Sequence, residues 1–114
     1  MRALLTLVFV LFAGVAWADP VGKYDVTGTN PGGKSSYSGE VTVERTGDTF
    51  RVVWMVGGQR YVGTGIGNGE FIAVSYRSGD QTGLALYAQE GDGFVGVWTY
   101  SGGKQIGTEK WQRQ

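Results

Sequence analysis

From residue 23 onward, apolar and polar positions alternate with a period of two, and glycine-containing turns break the alternation at short intervals. No segment of useful length carries apolar residues at helical spacing. Period two is the mark of a half-buried strand, whose side chains point to opposite faces in turn. The pattern predicts eight strands, at 23–29, 37–45, 49–56, 60–66, 71–77, 83–88, 94–100 and 105–111. Between them lie Gly47-Asp48, Gly57-Gly58, Asn68-Gly69, Asp92-Gly93 and Gly102-Gly103. Such dipeptides suit two-residue hairpin turns, where central residues often need positive φ. Two connections are longer, Asn30 to Ser36 and Ser78 to Gln81.

A two-residue turn fixes register, so each one predicts which side chains face each other. Gly47-Asp48 sets Val43 against Val52, Val41 against Trp54 and Gly39 against Val56, with Glu44 and Arg51 paired on the other face. Gly57-Gly58 sets Trp54 against Tyr61 and Val52 against Gly63. Asn68-Gly69 sets Tyr61 against Tyr76, Gly63 against Val74 and Gly65 against Ile72. One apolar face then runs unbroken across four strands. In the second half, Asp92-Gly93 sets Tyr87 against Trp98. Gly102-Gly103 sets Trp98 against Gly107 and Phe94 against Trp111, and turns Glu109 inward opposite Gly96. At the join, a four-residue Ser78–Gln81 loop points Ala85 and Tyr87 inward, and a five-residue loop points Leu84 and Leu86 inward.

About eight short antiparallel strands close into a barrel or fold into a sandwich. Hairpins between sequence neighbours throughout favour an up-and-down meander. Three segments, Tyr37-Ser38-Gly39, Tyr61-Val62-Gly63 and Phe94-Val95-Gly96, place a glycine beside an inward aromatic. Glycine lets a sheet bend, and a ring can cover the bare backbone. The expected fold is therefore all-β, a small up-and-down antiparallel β-barrel of about eight strands, with a β-sandwich as the alternative. An outer-membrane barrel needs a lipid-facing apolar band. The outward positions Glu40, Thr42, Glu44, Arg51 and Thr64 weigh against it.

The N-terminus departs from this pattern. Arg2 is followed by a nearly continuous apolar run from Ala3 to Ala13, and then by Ala16-Trp17-Ala18. A positive start, a short apolar run and an A-x-A site are the parts of a secretory signal peptide. The expectation is a signal peptide over 1–18, a single barrel domain over 19–114, and export to the periplasm or beyond with no membrane span after cleavage.

Composition narrows the chemistry. The 114 residues include 21 glycines, ten basic and ten acidic side chains, no cysteine and no histidine. That excludes disulfides, thiolate metal sites and a thiol nucleophile. It also removes the usual general base and transition-metal ligand. Balanced charge gives no footprint for nucleic acid. Neither a cofactor nor a metal is expected. Gly91-Asp92-Gly93 and Gly67-Asn68-Gly69 resemble pieces of calcium loops but supply too few ligands, and the loop from Asn30 to Ser36 lacks the spacing of a phosphate cradle. Asp25 and Glu109 would approach each other if strand one pairs with strand eight, yet no motif supports acid–base work there. No catalytic residues are expected.

The candidate ligand-binding residues are Trp54, Tyr61, Tyr76, Tyr87, Trp98 and Glu109. The five aromatics form an inward row. They either fill the barrel as core or wall a pocket for one small ligand. Glu109 is the unusual member, because a buried carboxylate must be paired or protonated. It lies near an open end or on a frayed strand, makes a polar contact inside a pocket, or pairs with an inward-reaching arginine.

The segments Tyr24 with Gly28-Thr29-Asn30-Pro31-Gly32-Gly33, Tyr37-Ser38-Gly39, Thr46-Gly47-Asp48-Thr49-Phe50-Arg51-Val52, Tyr61-Val62-Gly63-Thr64-Gly65-Ile66 and Gly107-Thr108-Glu109-Lys110-Trp111 resemble a group of small exported proteobacterial proteins. Some of that group are labelled fibronectin-binding. The resemblance implies an exported β protein and carries over no binding residue. The Gly22-Lys23-Tyr24 opening is similar to the Gly-x-Trp opening of avidins, which are eight-stranded meander barrels. Tyrosine stands here in place of tryptophan, and the Asn-x-x-Gly-Ser segment that follows in avidins is missing, so the comparison implies architecture alone. The functional expectation is a non-catalytic exported binding protein that contacts a protein or matrix component. The alternative is a carrier barrel enclosing a small apolar or aromatic ligand.

Overall fold

The computed structural model describes residues 19–114, and the expected signal segment over 1–18 lies outside the described residues. Among the described residues, eight strands follow one another without a helix: β1 (Gly22–Thr29), β2 (Ser36–Thr46), β3 (Thr49–Val56), β4 (Gln59–Gly67), β5 (Phe71–Ser78), β6 (Gln81–Glu90), β7 (Gly93–Tyr100) and β8 (Gly107–Arg113). Each pairs antiparallel with its neighbour, and β1 pairs with β8 to close the barrel. Closure leaves no exposed sheet edge. The meander barrel is the architecture, and the sandwich is not formed.

Most of the expected register is present. Val43 faces Val52, Val41 faces Trp54, Trp54 faces Tyr61, Trp98 faces Gly107 and Gly96 faces Glu109. Ser78 faces Gln81 across Gly79-Asp80, so Ala85 and Tyr87 point inward and Leu84 and Leu86 point out.

Three turns correct the expectation; at β7–β8 a longer connection, Ser101 to Ile106, takes the place of the two-residue Gly102-Gly103 turn without changing the register. At β4–β5 the tip is Gly69-Glu70, and not Asn68-Gly69. The Asn68 side chain accepts hydrogen bonds from the Glu70 and Phe71 amides at 2.8 and 3.1 Å, which draws the turn one residue onward. Pairing slips by two residues, so Tyr76 faces Gly63, Val74 faces Gly65 and Ile72 faces Gly67. At β6–β7 the tip is Gly91-Asp92, with Gly91 at φ +61°. Gly93 is held in the strand because its Cα lies against the Trp111 carbonyl, where a Cβ would collide. Tyr87 therefore faces Gly96, and Trp98 faces Ala85. A slip of two keeps every side chain on its face, so the inward set survives both slips. The last strand also begins at Gly107, not Gln105. Thr99 Oγ1 donates to the Gln105 carbonyl at 2.9 Å, and Gly32 N donates to the Ile106 carbonyl at 3.3 Å, which holds these two residues out of the ladder.

The barrel is filled unevenly along its axis. Tyr24, Val43, Phe50, Ile72, Phe94 and Trp111 are buried towards the end that carries the β2–β3, β4–β5 and β6–β7 turns. Arg113 closes that end. Its guanidinium donates to the Asp19, Val21 and Asp92 carbonyls and to the Tyr24 hydroxyl, and stacks 4.7 Å from the Tyr24 ring centroid. The opposite end carries the β1–β2, β3–β4, β5–β6 and β7–β8 connections.

Glycine and aromatic residues alternate across the ladder. Gly28 faces Tyr37, Gly83 faces Tyr76, Gly96 faces Tyr87 and Gly107 faces Trp98. In each pair the ring lies where a Cβ on the glycine would stand. At Gly96 a Cβ would also strike the Leu86 carbonyl, which cannot swing away. Gly96→Ala is therefore expected to lower stability by about 1–3 kcal/mol, the usual cost of overpacking. Urea denaturation of the folded domain checks this, with Thr64→Ala on the exposed face as the control.

Candidate functional site

The filled end leaves a cavity of about 570 Å³ at the other, bordered by Asn30 and Pro31 from the β1–β2 loop, Gly57 from the β3–β4 turn, and Gln81. Trp54, Tyr61, Tyr76, Tyr87, Trp98 and Glu109 all line it, so the structure brings the six sequence-derived residues to one place. Their strands differ. Parity alone aims them at the same interior, while the glycines opposite leave the room.

Glu109 sits in the middle of β8, 8% exposed, on neither a frayed strand nor an open rim. Among the described residues, no arginine pairs with it. Four neutral donors converge on its carboxylate instead. Oε1 accepts from Trp54 Nε1 at 2.9 Å, Tyr87 Oη at 2.7 Å and Trp111 Nε1 at 2.7 Å. Oε2 accepts from Tyr37 Oη at 2.6 Å. An indole N–H donates and never accepts, so both indoles need Oε1 free of a proton. Four hydrogen bonds to one carboxyl are what a buried carboxylate needs in place of a counter-charge. Asp25 takes no part. Although β1 does pair with β8, Asp25 faces Gln112 on the exposed side, and Gly28 stands opposite Glu109.

The carboxylate marks its neighbours. Burial pushes the Tyr37 and Tyr87 phenols well above the ordinary tyrosine range, and the Glu109 charge adds to the shift in both. Tyr76 is pushed up to about 12, first by burial and then by Glu109. Trp98 Nε1 lies near enough to the Tyr37 hydroxyl to favour the phenolate slightly, but closes no hydrogen bond with it. That atom is buried over Gly107.

The rings stand edge to face around the mouth. Tyr61 meets Tyr76 at 6.3 Å and 79°, Tyr76 meets Trp98 at 6.3 Å and 70°, and Trp98 meets Tyr37 at 6.1 Å and 71°. Trp54 meets Tyr76 at 5.8 Å and 62°. Such contacts fix ring planes and add about 0.5–1.5 kcal/mol each beyond burial. Two contributors were missing from the sequence-derived set. Tyr37 faces Gly28 across the long β1–β2 connection, which hid their register. Trp111 reaches Glu109 from two residues along the same strand, and parity did place it inward.

The outer wall is divided. On β2 and β3 it carries Glu40, Glu44 and Arg51, with Arg51 3.7 Å from Glu44. On β5 to β7, exposed Phe71, Leu84, Leu86 and Val97 form an apolar face. No protein-family model matches the chain. No curated protein matches it either.

The raised tyrosines give a stability profile. In the unfolded chain their phenols ionise near pH 10. In the folded barrel they hold their protons to higher pH, so the folded state binds more protons and stability falls as pH rises. The contribution of Tyr76 is present in full below pH 10 and is lost between about pH 10 and 12. Absorbance titration at 295 nm should show Tyr37, Tyr76 and Tyr87 ionising well above pH 10, with unfolding as they do so. Their titration together near pH 10 would contradict the buried network.

Proposed function

We propose that the protein is a non-catalytic, exported carrier that binds one small, aromatic or apolar-bodied ligand in the open end of its barrel. The observation that supports this most strongly is the asymmetry of filling. One end is closed by packed side chains and Arg113, while the other holds a 570 Å³ space walled by ordered rings around a single carboxylate. Ligand sites are typically concave, mostly apolar, and furnished with a few placed polar groups. Export rests on the sequence pattern of residues 1–18. The non-catalytic reading rests on a carboxylate whose contacts are all fixed hydrogen bonds to neutral donors.

A second reading rests on the outer wall. Contiguous exposed apolar residues mark interaction surfaces, and Phe71, Leu84, Leu86 and Val97 supply such a face for a protein or matrix component.

The two readings separate in one experiment. Benzyl alcohol and benzylammonium, titrated into isotopically labelled protein, should shift the Tyr61, Tyr76 and Trp98 resonances. Trp98→Leu should weaken this roughly tenfold, the worth of about one aromatic contact. Leu86→Lys on the outer wall should leave it unchanged. Shifts confined to the outer wall, or lost in Leu86→Lys and kept in Trp98→Leu, would transfer the function to the outer surface.

A further inference from the structure

We infer that the cavity selects a small organic cation, an ammonium group carried on an apolar or aromatic body. The inference rests on the barrel-mouth reading and names the class of ligand for that same site.

Three features lead to it. The first is charge. Glu109 is the one carboxylate lining the cavity, and no lysine or arginine is among the lining residues. Asn30, Gln59 and Gln81 at the rim are neutral. The donors that hold the carboxylate are two indoles and two phenols, so its charge is solvated but not cancelled. The second is the walls. Trp54, Tyr61 and Trp98 each meet Tyr76 at a steep angle, 62°, 79° and 70°, and all four rings line the cavity, so aromatic rings wall it on several sides. Ring faces carry negative potential, and aromatic boxes hold ammonium groups by cation–π attraction. Both features give the interior the same sign. An anion is repelled by both, and a neutral ligand gains from neither charge.

The third is an unfilled acceptor. Oε1 takes three donors and is saturated, whereas Oε2 takes only the Tyr37 hydroxyl. A carboxylate oxygen offers about two lone-pair sites. Oε2 therefore has capacity for one further donor, and Glu109 belongs to the cavity wall. A ligand N–H directed there makes a charge-assisted hydrogen bond, stronger than a neutral one.

The test compares near-isosteric probes at neutral pH: benzylammonium, benzyl alcohol and benzoate, each titrated while the Trp98 and Tyr76 resonances are followed. The expected order is benzylammonium at least tenfold tighter than benzyl alcohol, with no benzoate binding. In Glu109→Gln the preference for the cation should fall several-fold, leaving only what the ring faces supply. Should that variant fail to fold, Tyr61→Leu removes one wall of the box, and the cation should then lose several-fold more affinity than the alcohol. Benzyl alcohol binding as tightly as benzylammonium, benzoate binding at the same resonances, or equal losses in Tyr61→Leu would overturn the inference and leave the carrier reading standing. If none of the probes moves these resonances, both fall.

Discussion

A carboxylate held inside the barrel by four neutral donors organises this structure. Burying an ion is expensive unless its hydrogen bonds are met. Glu109 meets them with partners from three strands that are not its neighbours in the sheet: Tyr37 on β2, Trp54 on β3 and Tyr87 on β6. Trp111 adds a fourth from β8 itself. The ladder ties each strand to the next, and Glu109 ties strands across the lumen. Each such bond to a charged group is worth about 1.5–3 kcal/mol, set against the cost of burial. The four also fix ring orientations, so the carboxylate sets the shape of the space beside it.

That space exists because glycine and aromatic residues share the interior. Gly28, Gly83, Gly96 and Gly107 each surrender their Cβ volume to a ring on the adjacent strand. The exchange lets large side chains lie flat against the wall instead of meeting at the axis. Near Val43, Phe50, Ile72 and Phe94, buried branched and aromatic side chains pack with Tyr24 and Trp111, and the lumen fills and closes. The same topology thus gives a solid end and a hollow end. The ordered rings at the hollow end cost little to arrange for a ligand, because their contacts with each other already hold them.

Much of this was legible in the chain. Period-two alternation and glycine turns carried the strand count, the meander and the inward faces. Gly47-Asp48 and Gly57-Gly58 fixed two registers outright. Asn68-Gly69 and Asp92-Gly93 misled for opposite reasons. Asn68 spends its side chain on the amides ahead of it, and Gly93 is needed where two backbones nearly touch. Neither fact is local to the dipeptide. Because both slips were of two residues, the candidate site was untouched. The partners of Glu109 were not legible, since Tyr37, Trp54 and Tyr87 lie 72, 55 and 22 residues away and only closure brings them together. Parity could say that the carboxylate points inward. It could not say that four donors wait for it.

The Glu109 carboxylate is the hub of these hydrogen bonds, and the indole protons report on it directly. Trp54 and Trp111 donate to its Oε1, while Trp98 makes no hydrogen bond. A proton–nitrogen correlation spectrum of the folded domain should place the Trp54 and Trp111 indole protons well downfield of Trp98, and Glu109→Gln should move both back towards it. Indole protons of Trp54 and Trp111 that resonate with Trp98, and that do not respond to Glu109→Gln, would contradict the account.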